Sequence, residues 1–171
     1  MPKPNKIEVD DYGLYNSSTK TLVTSSDLEP ARTFAHEYGH HIDFMLEKDG
    51  MTQKIIPSLR LFDPFDLDRE IKTEQRRDVF LSVLNKKGDL KYAGLHDILD
   101  AQSNGLMQKR GFIGHGEDYW RDMGYNEENF ANMFQLWSEN GKIWEETKIL
   151  FPNTTKEFEL IMKDIIDGKF D

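Results

Sequence analysis

The first 24 residues switch between polar and apolar side chains in short bursts. Lys6-Ile7-Glu8-Val9-Asp10 alternates polar and apolar residues, a pattern that reads as a short strand. Asp11-Tyr12-Gly13 is a turn signal. Thr19-Lys20-Thr21-Leu22-Val23-Thr24, entered through a turn at Asn16-Ser17-Ser18, is a second strand-forming run. The period then changes. From about Leu28 to Lys48 the apolar residues fall three and four apart, which predicts a helix. Ser26-Asp27-Leu28-Glu29 has capping-box spacing, Pro30 suits a first helical turn, and Asp49-Gly50 is a stop.

Residues 50–66 read as a loop around Ile55-Ile56-Pro57 and Asp63-Pro64. A helix over 67–86 turns Leu67, Ile71, Phe80, Val83 and Leu84 inward and stops at Gly88. A short helix near 95–102 leads into a Gly-rich stretch from Gly105 to Gly116. Another helix runs from near Asn126 to Gly141. A last amphipathic helix from about Thr155 to Asp167 buries Phe158, Ile161 and Ile165. Helices dominate and the strands cluster at the N-terminus. The expected class is α+β with a small sheet, in one domain over residues 1–171, without a parallel βαβ series.

Composition narrows the chemistry. The chain of 171 residues carries 22 Lys and Arg against 31 Asp and Glu, a formal charge of −9. That balance opposes non-specific nucleic-acid binding and adhesion to anionic lipid. No apolar run is long enough to span a bilayer, and no signal peptide follows Met1-Pro2-Lys3-Pro4. A cytoplasmic location fits these expectations, and the compartment otherwise stays open. The absence of Cys excludes disulfides, Cys-ligated zinc and a thiol nucleophile. His, present five times, becomes the residue to place.

Two of the five sit in His36-Glu37-Tyr38-Gly39-His40, an H-E-x-x-H pattern. On a helix, positions i and i+4 share a face about 6 Å apart. Two imidazoles there can hold one Zn²⁺ through ring nitrogens, and the intervening Glu can take a proton from zinc-bound water. With about 100° per residue, Phe34, Ala35, Tyr38, Ile42 and Met45 gather on one side of this helix. His36, His40 and Asp43 gather on the other. His41 falls off both stripes and reads as structural or rim.

A catalytic zinc needs a third protein ligand, limited here to His, Asp or Glu. Asp43 lies on the correct stripe, but three ligands within two turns would crowd, so it suits a supporting role toward a ligand imidazole. Glu70 and Glu74 are rivals on the next helix, among Arg69, Lys72, Arg76 and Arg77. Glu128 is the better candidate. It opens a helix whose polar stripe continues through Asn132, Gln135 and Glu139, with Phe130, Ala131, Phe134 and Trp137 opposite.

At these residues the sequence resembles a zincin of the gluzincin type. Phe34-Ala35-His36-Glu37-Tyr38-Gly39-His40-His41-Ile42-Asp43, joined to Glu128-x-Phe130-Ala131-x-x-Phe134, resembles the anthrax lethal factor and Pro-Pro endopeptidase group. It is similar also to metallopeptidase domains at the C-terminal end of phage minor head (MuF-type) proteins. There Asp97-Ile98 and Gly114-His115-Gly116-Glu117-Asp118-Tyr119-Trp120 have counterparts. The resemblance implies a zincin-like fold with an edge strand beside the active-site helix. It implies peptide-bond hydrolysis, Zn²⁺ as cofactor, His36, His40 and Glu128 as ligands, and Glu37 as general base. The substrate would be an extended peptide or protein segment added along the N-terminal edge strand.

The sequence departs from that group in two ways. His40 and Glu128 are 88 residues apart, which implies an insertion. The Tyr expected seven residues before the ligand Glu, as oxyanion donor, is replaced by Arg121. Tyr119, Tyr125 and His115 are the nearby donors, and Tyr119 and His115 are the expected ones. A different class of reading is a phage-related structural or assembly module whose zinc site is vestigial or structural.

Overall fold

A computed structural model describes residues 1–26, 29–48, 74–103 and 125–169. Among them are three strands, β1 (Lys6–Asp10), β2 (Leu14–Asn16) and β3 (Thr21–Ser25), and six helices. The helices are α1 (Pro30–Lys48), α2 (Glu74–Leu84), α3 (Ala93–Ser103), α4 (Tyr125–Glu139), α5 (Lys142–Leu150) and α6 (Pro152–Ile166). A single 3₁₀ turn, Leu90–Tyr92, leads into α3. The class is mixed α+β. No described helix is long and apolar enough to cross a membrane.

The sheet has the order β1-β3-β2. β1 runs parallel to β3 with Lys6 opposite Thr21, and β2 runs antiparallel to β3 with Tyr15 opposite Leu22. The three-residue β2 is an addition to the expected pattern, and it extends into the predicted turn. Asn16 still serves that turn, because its Oδ1 accepts the Thr19 amide at 3.1 Å.

α1 begins at Pro30, two residues later than the capping box predicts. Pro30 disfavours helical geometry at the residue before it. Glu29 sits outside the helix in the left-handed region at φ 45, and its carbonyl receives the Arg32 and Thr33 amides. α1 is packed on more than its apolar stripe. β2 and β3 pack on one side of it and α4 on another. Ala35, Ile42 and Leu46 are buried, and so are Glu37 and His41. α1 is the central element of the fold.

The main core joins Ile42 and Leu46 of α1 to Leu95, Ile98 and Leu99 of α3 and to Phe130 and Met133 of α4. Phe158 and Met162 of α6 and Trp144 of α5 close it. Each fully buried side chain of this kind contributes about 1.5–3 kcal/mol. α2 spans only part of the predicted 67–86 helix among the described residues; Leu67 and Ile71 lie outside them, as do residues 50–66 and 105–116. α4 ends at Glu139, with Asn140 rather than Gly141 in the left-handed position at φ 45. α5 has no counterpart in the sequence reading.

Candidate metal centre

α1 and α4 cross at close range. A Cβ on Gly39 would lie 2.7 Å from Ala131 Cα and 3.1 Å from Phe134 Cβ, so only glycine fits. On α1, His36 and His40 flank this crossing. On α4, Glu128 lies nearly one turn before Ala131. The contact therefore carries Glu128 to the two imidazoles, although 88 residues of chain separate it from His40.

The three side chains converge. His36 Nε2 and His40 Nε2 are 3.2 Å apart. Glu128 Oε2 is 3.5 Å from His36 Nε2, and its Oε1 is 3.4 Å from His40 Nε2. Donors held about 2.0–2.1 Å from one tetrahedral ion lie about 3.3–3.4 Å apart; the two imidazole nitrogens approach that spacing and each has one carboxylate oxygen of Glu128 near it, while one donor atom from each residue lies within 4.8 Å of the other two. Two unprotonated imidazole nitrogens facing each other and a carboxylate would oppose lone pairs at close range. A proton or a cation must sit among them. This group of three can hold a metal ion.

The surroundings favour a cation. Burial works against a charged His40, but the hydrogen bond and charge of Glu128, with the charges of Glu37 and Asp43, outweigh it and hold its pKa above the usual 6.5. Glu128 is itself buried, and Asn132, one turn along α4, donates to its backbone carbonyl at 2.8 Å and to its Oε2 at 3.5 Å. That contact orients the carboxylate.

Glu37 is 7% exposed, in the same turn as the two histidines. It abuts the β1–β2 turn. A Cβ on Gly13 would fall 2.7 Å from Glu37 Oε1 and 2.4 Å from Thr33 Cγ2. The missing side chain at Gly13 leaves room for the Glu37 carboxylate.

The other predicted residues divide cleanly. Asp43 is half-buried and acts on His40 through its charge, without joining the three-donor group. Glu74 is exposed at the start of α2 and is not in the group. Glu70, His115 and Tyr119 lie outside the described residues. His41 is not at a rim. It is fully buried, its Nδ1 is 2.9 Å from Tyr15 Oη, and burial lowers its pKa. This bond ties β2 to the back of α1. His96 is buried in α3, 3.4 Å from the Val83 carbonyl.

Sequence reasoning missed a polar wall beside the site. Asp97 of α3 with Asn132 and Gln135 of α4 are buried around a cavity that reaches His36. Asn132 and Gln135 were visible as a polar stripe, but nothing local showed that α3 would face it. No family model matches the chain, and no match was found among curated proteins or solved structures.

Proposed function

We propose that this chain is a zinc-dependent peptidase of the zincin type. The observation that carries the reading is the convergence of His36, His40 and Glu128, with one donor atom of each within 4.8 Å of the others and buried Glu37 in the same turn. Two imidazoles and one carboxylate suit zinc better than magnesium or calcium, which prefer all-oxygen shells. Three protein ligands also leave a fourth position open. His36, His40 and Glu128 would hold the ion. Bound there, zinc supplies Lewis acidity, polarising a carbonyl and making water more acidic.

The chain's own groups do the rest. Glu37 takes the proton of the attacking water and delivers it to the leaving amine. Asn132 fixes the rotamer of Glu128. β2 is an edge strand packed against α1 and follows directly on Gly13, so an extended peptide paired with it would lie alongside Glu37. In this reading Tyr119 or His115 donates to the developing oxyanion.

Metal analysis with the Glu37→Gln variant tests the proposal. The purified protein is expected to hold about one zinc per chain. Glu37→Gln is expected to keep that zinc and to lose hydrolysis of a peptide library by about 100-fold or more. A zinc-free protein, or unchanged hydrolysis in the variant, refutes the assignment. Zinc that raises stability while the wild type cuts no peptide favours the structural-module alternative.

A further inference from the structure

The turn between α4 and α5 carries an Asn-Gly pair, Asn140-Gly141. Its backbone is anchored on both sides. The Asn140 amide donates to the Leu136 and Trp137 carbonyls at 3.2 and 3.1 Å and closes α4. The Gly141 carbonyl accepts the Glu145 amide at 3.3 Å and opens α5. Next to the pair, Glu139 Oε1 lies 3.0 Å from Arg32 Nε and accepts from Gln135 Nε2 at 3.0 Å. The Asn140 side chain and the Gly141 amide, by contrast, have no hydrogen-bond partner among the described residues, and both residues are exposed.

Asn140 sits in the left-handed region at φ 45, a conformation that strains most side-chain-bearing residues and that Asn tolerates better than others. That strain lowers the cost of rotating into a conformation where the side-chain carbonyl carbon meets the next backbone nitrogen. Gly141 leaves that nitrogen open, because no Cβ stands beside it. Packing does not demand glycine here. Its φ is −106, and a Cβ built on it would meet the Glu139 carbonyl oxygen at an ordinary 3.9 Å.

We propose that Asn140-Gly141 is a self-modification site, where the chain deamidates itself and water completes the change to aspartate or isoaspartate. The Gly141 nitrogen attacks Asn140 Cγ. A Cγ–N bond forms and the Cγ–Nδ2 bond breaks. Nδ2 leaves as ammonia with the proton of the Gly141 amide, and a five-membered imide closes. Water then opens the ring. Cleavage at Cγ gives aspartate; cleavage at the main-chain carbonyl carbon gives isoaspartate, whose backbone is one methylene longer. Water is the one co-reactant, so the site is independent of the metal centre. The two products act differently. An aspartate at position 140 lies between the C-terminus of α4, which disfavours its charge, and the N-terminus of α5, which favours it, so the two effects oppose. The added methylene separates the bonds that close α4 from the bond that opens α5. Trp144, 2% exposed in the first turn of α5 and packed against Phe158, has to shift with it.

Peptide mapping by mass spectrometry tests it. The full chain is aged at mildly acidic and mildly alkaline pH and digested with trypsin. Residues 122–142 and 92–109 fall in separate peptides, so Asn140 is read apart from the chain's other Asn-Gly pair, Asn104-Gly105, which lies outside the described residues. Asn140 is expected to gain about one dalton. The gain is expected to be faster in alkali, because loss of the Gly141 amide proton frees the nucleophile. Its rate is expected to come within about tenfold of that of a free peptide spanning 122–142, since an exposed turn opens at little cost. Gly141→Ala is expected to slow the change by about tenfold or more while leaving the urea unfolding midpoint unaltered. Asn140→Asp is expected to melt as wild type does, and the aged fraction labelled by an isoaspartate-specific methyltransferase to melt lower. An Asn140 that stays unchanged while the free peptide converts, or equal rates in wild type and Gly141→Ala, overturns the site. An isoaspartate fraction as stable as Asn140→Asp overturns its effect on the α4–α5 junction.

Discussion

Gly39 and Ala131 are in backbone contact, with no room between α1 and α4 for even one added carbon. This contact is what makes a three-residue site from two distant segments. Gly39→Ala is expected to destabilise the fold by about 1–3 kcal/mol, the usual cost of overpacking. By spreading α1 from α4 it also draws Glu128 away from the imidazoles, so zinc affinity is expected to fall by about tenfold or more. Urea unfolding and a competitive zinc titration measure the two effects. A variant with unaltered zinc affinity shows that the crossing does not set the ligand triangle.

Gly13→Ala separates stability from chemistry. The new Cβ meets Thr33 Cγ2 and Glu37 Oε1, both in side chains. A Glu carboxylate at the end of a flexible chain yields more easily than backbone. The variant is expected to fold and to bind zinc normally, while the displaced Glu37 lowers peptide turnover by about tenfold or more. Turnover equal to wild type rules out Gly13 as a positioner of Glu37.

Zinc binding is expected to appear as stability. A ligand at 100 times its dissociation constant raises stability by about 2.7 kcal/mol. Zinc is therefore expected to raise the melting temperature of metal-stripped protein, and His40→Ala and Glu128→Ala are each expected to abolish the rise. A rise retained in both variants would place the metal elsewhere.

His96 supplies a pH dependence away from the metal centre. Burial, partly offset by the Val83 carbonyl and Asp89, lowers its pKa below 6.5. The unfolded chain then binds a proton that the folded chain refuses. The neutral buried form contributes its full stability above about pH 6.5 and loses it as pH falls from there toward the folded value. The loss is at most about 1.4 kcal/mol per pH unit. In metal-free protein, stability is expected to drop between pH 7.5 and 5.5, and less in His96→Gln than in wild type. Equal drops in both proteins would show that His96 is not the group titrating.

The H-E-x-x-H helix was legible because its information is local. A period of 3.6 puts His36 and His40 on one face whatever the rest of the chain does. Strand β1 and the last helix were readable for the same reason, since alternation and amphipathic spacing act over a few residues. β2 was missed because three residues of Leu14-Tyr15-Asn16 carry no period, and pairing with β3 alone makes them a strand. α5 was missed because Gly141 reads as a stop, while Trp144 and Leu150 are held helical by the core they fill.

The amino-acid order by itself determined the class, most helices and the two-histidine face with its Glu37. It made Glu128 the better third-ligand candidate without showing that it reaches the imidazoles. That meeting depends on the Gly39–Ala131 crossing. Tertiary structure alone also decided that His41 anchors β2 and that Asp97 faces the cavity beside His36. Periodicity reports which side chains share a face of one helix. Which helix that face will meet is set by packing between segments far apart in sequence, where shape and burial rather than spacing select the partner.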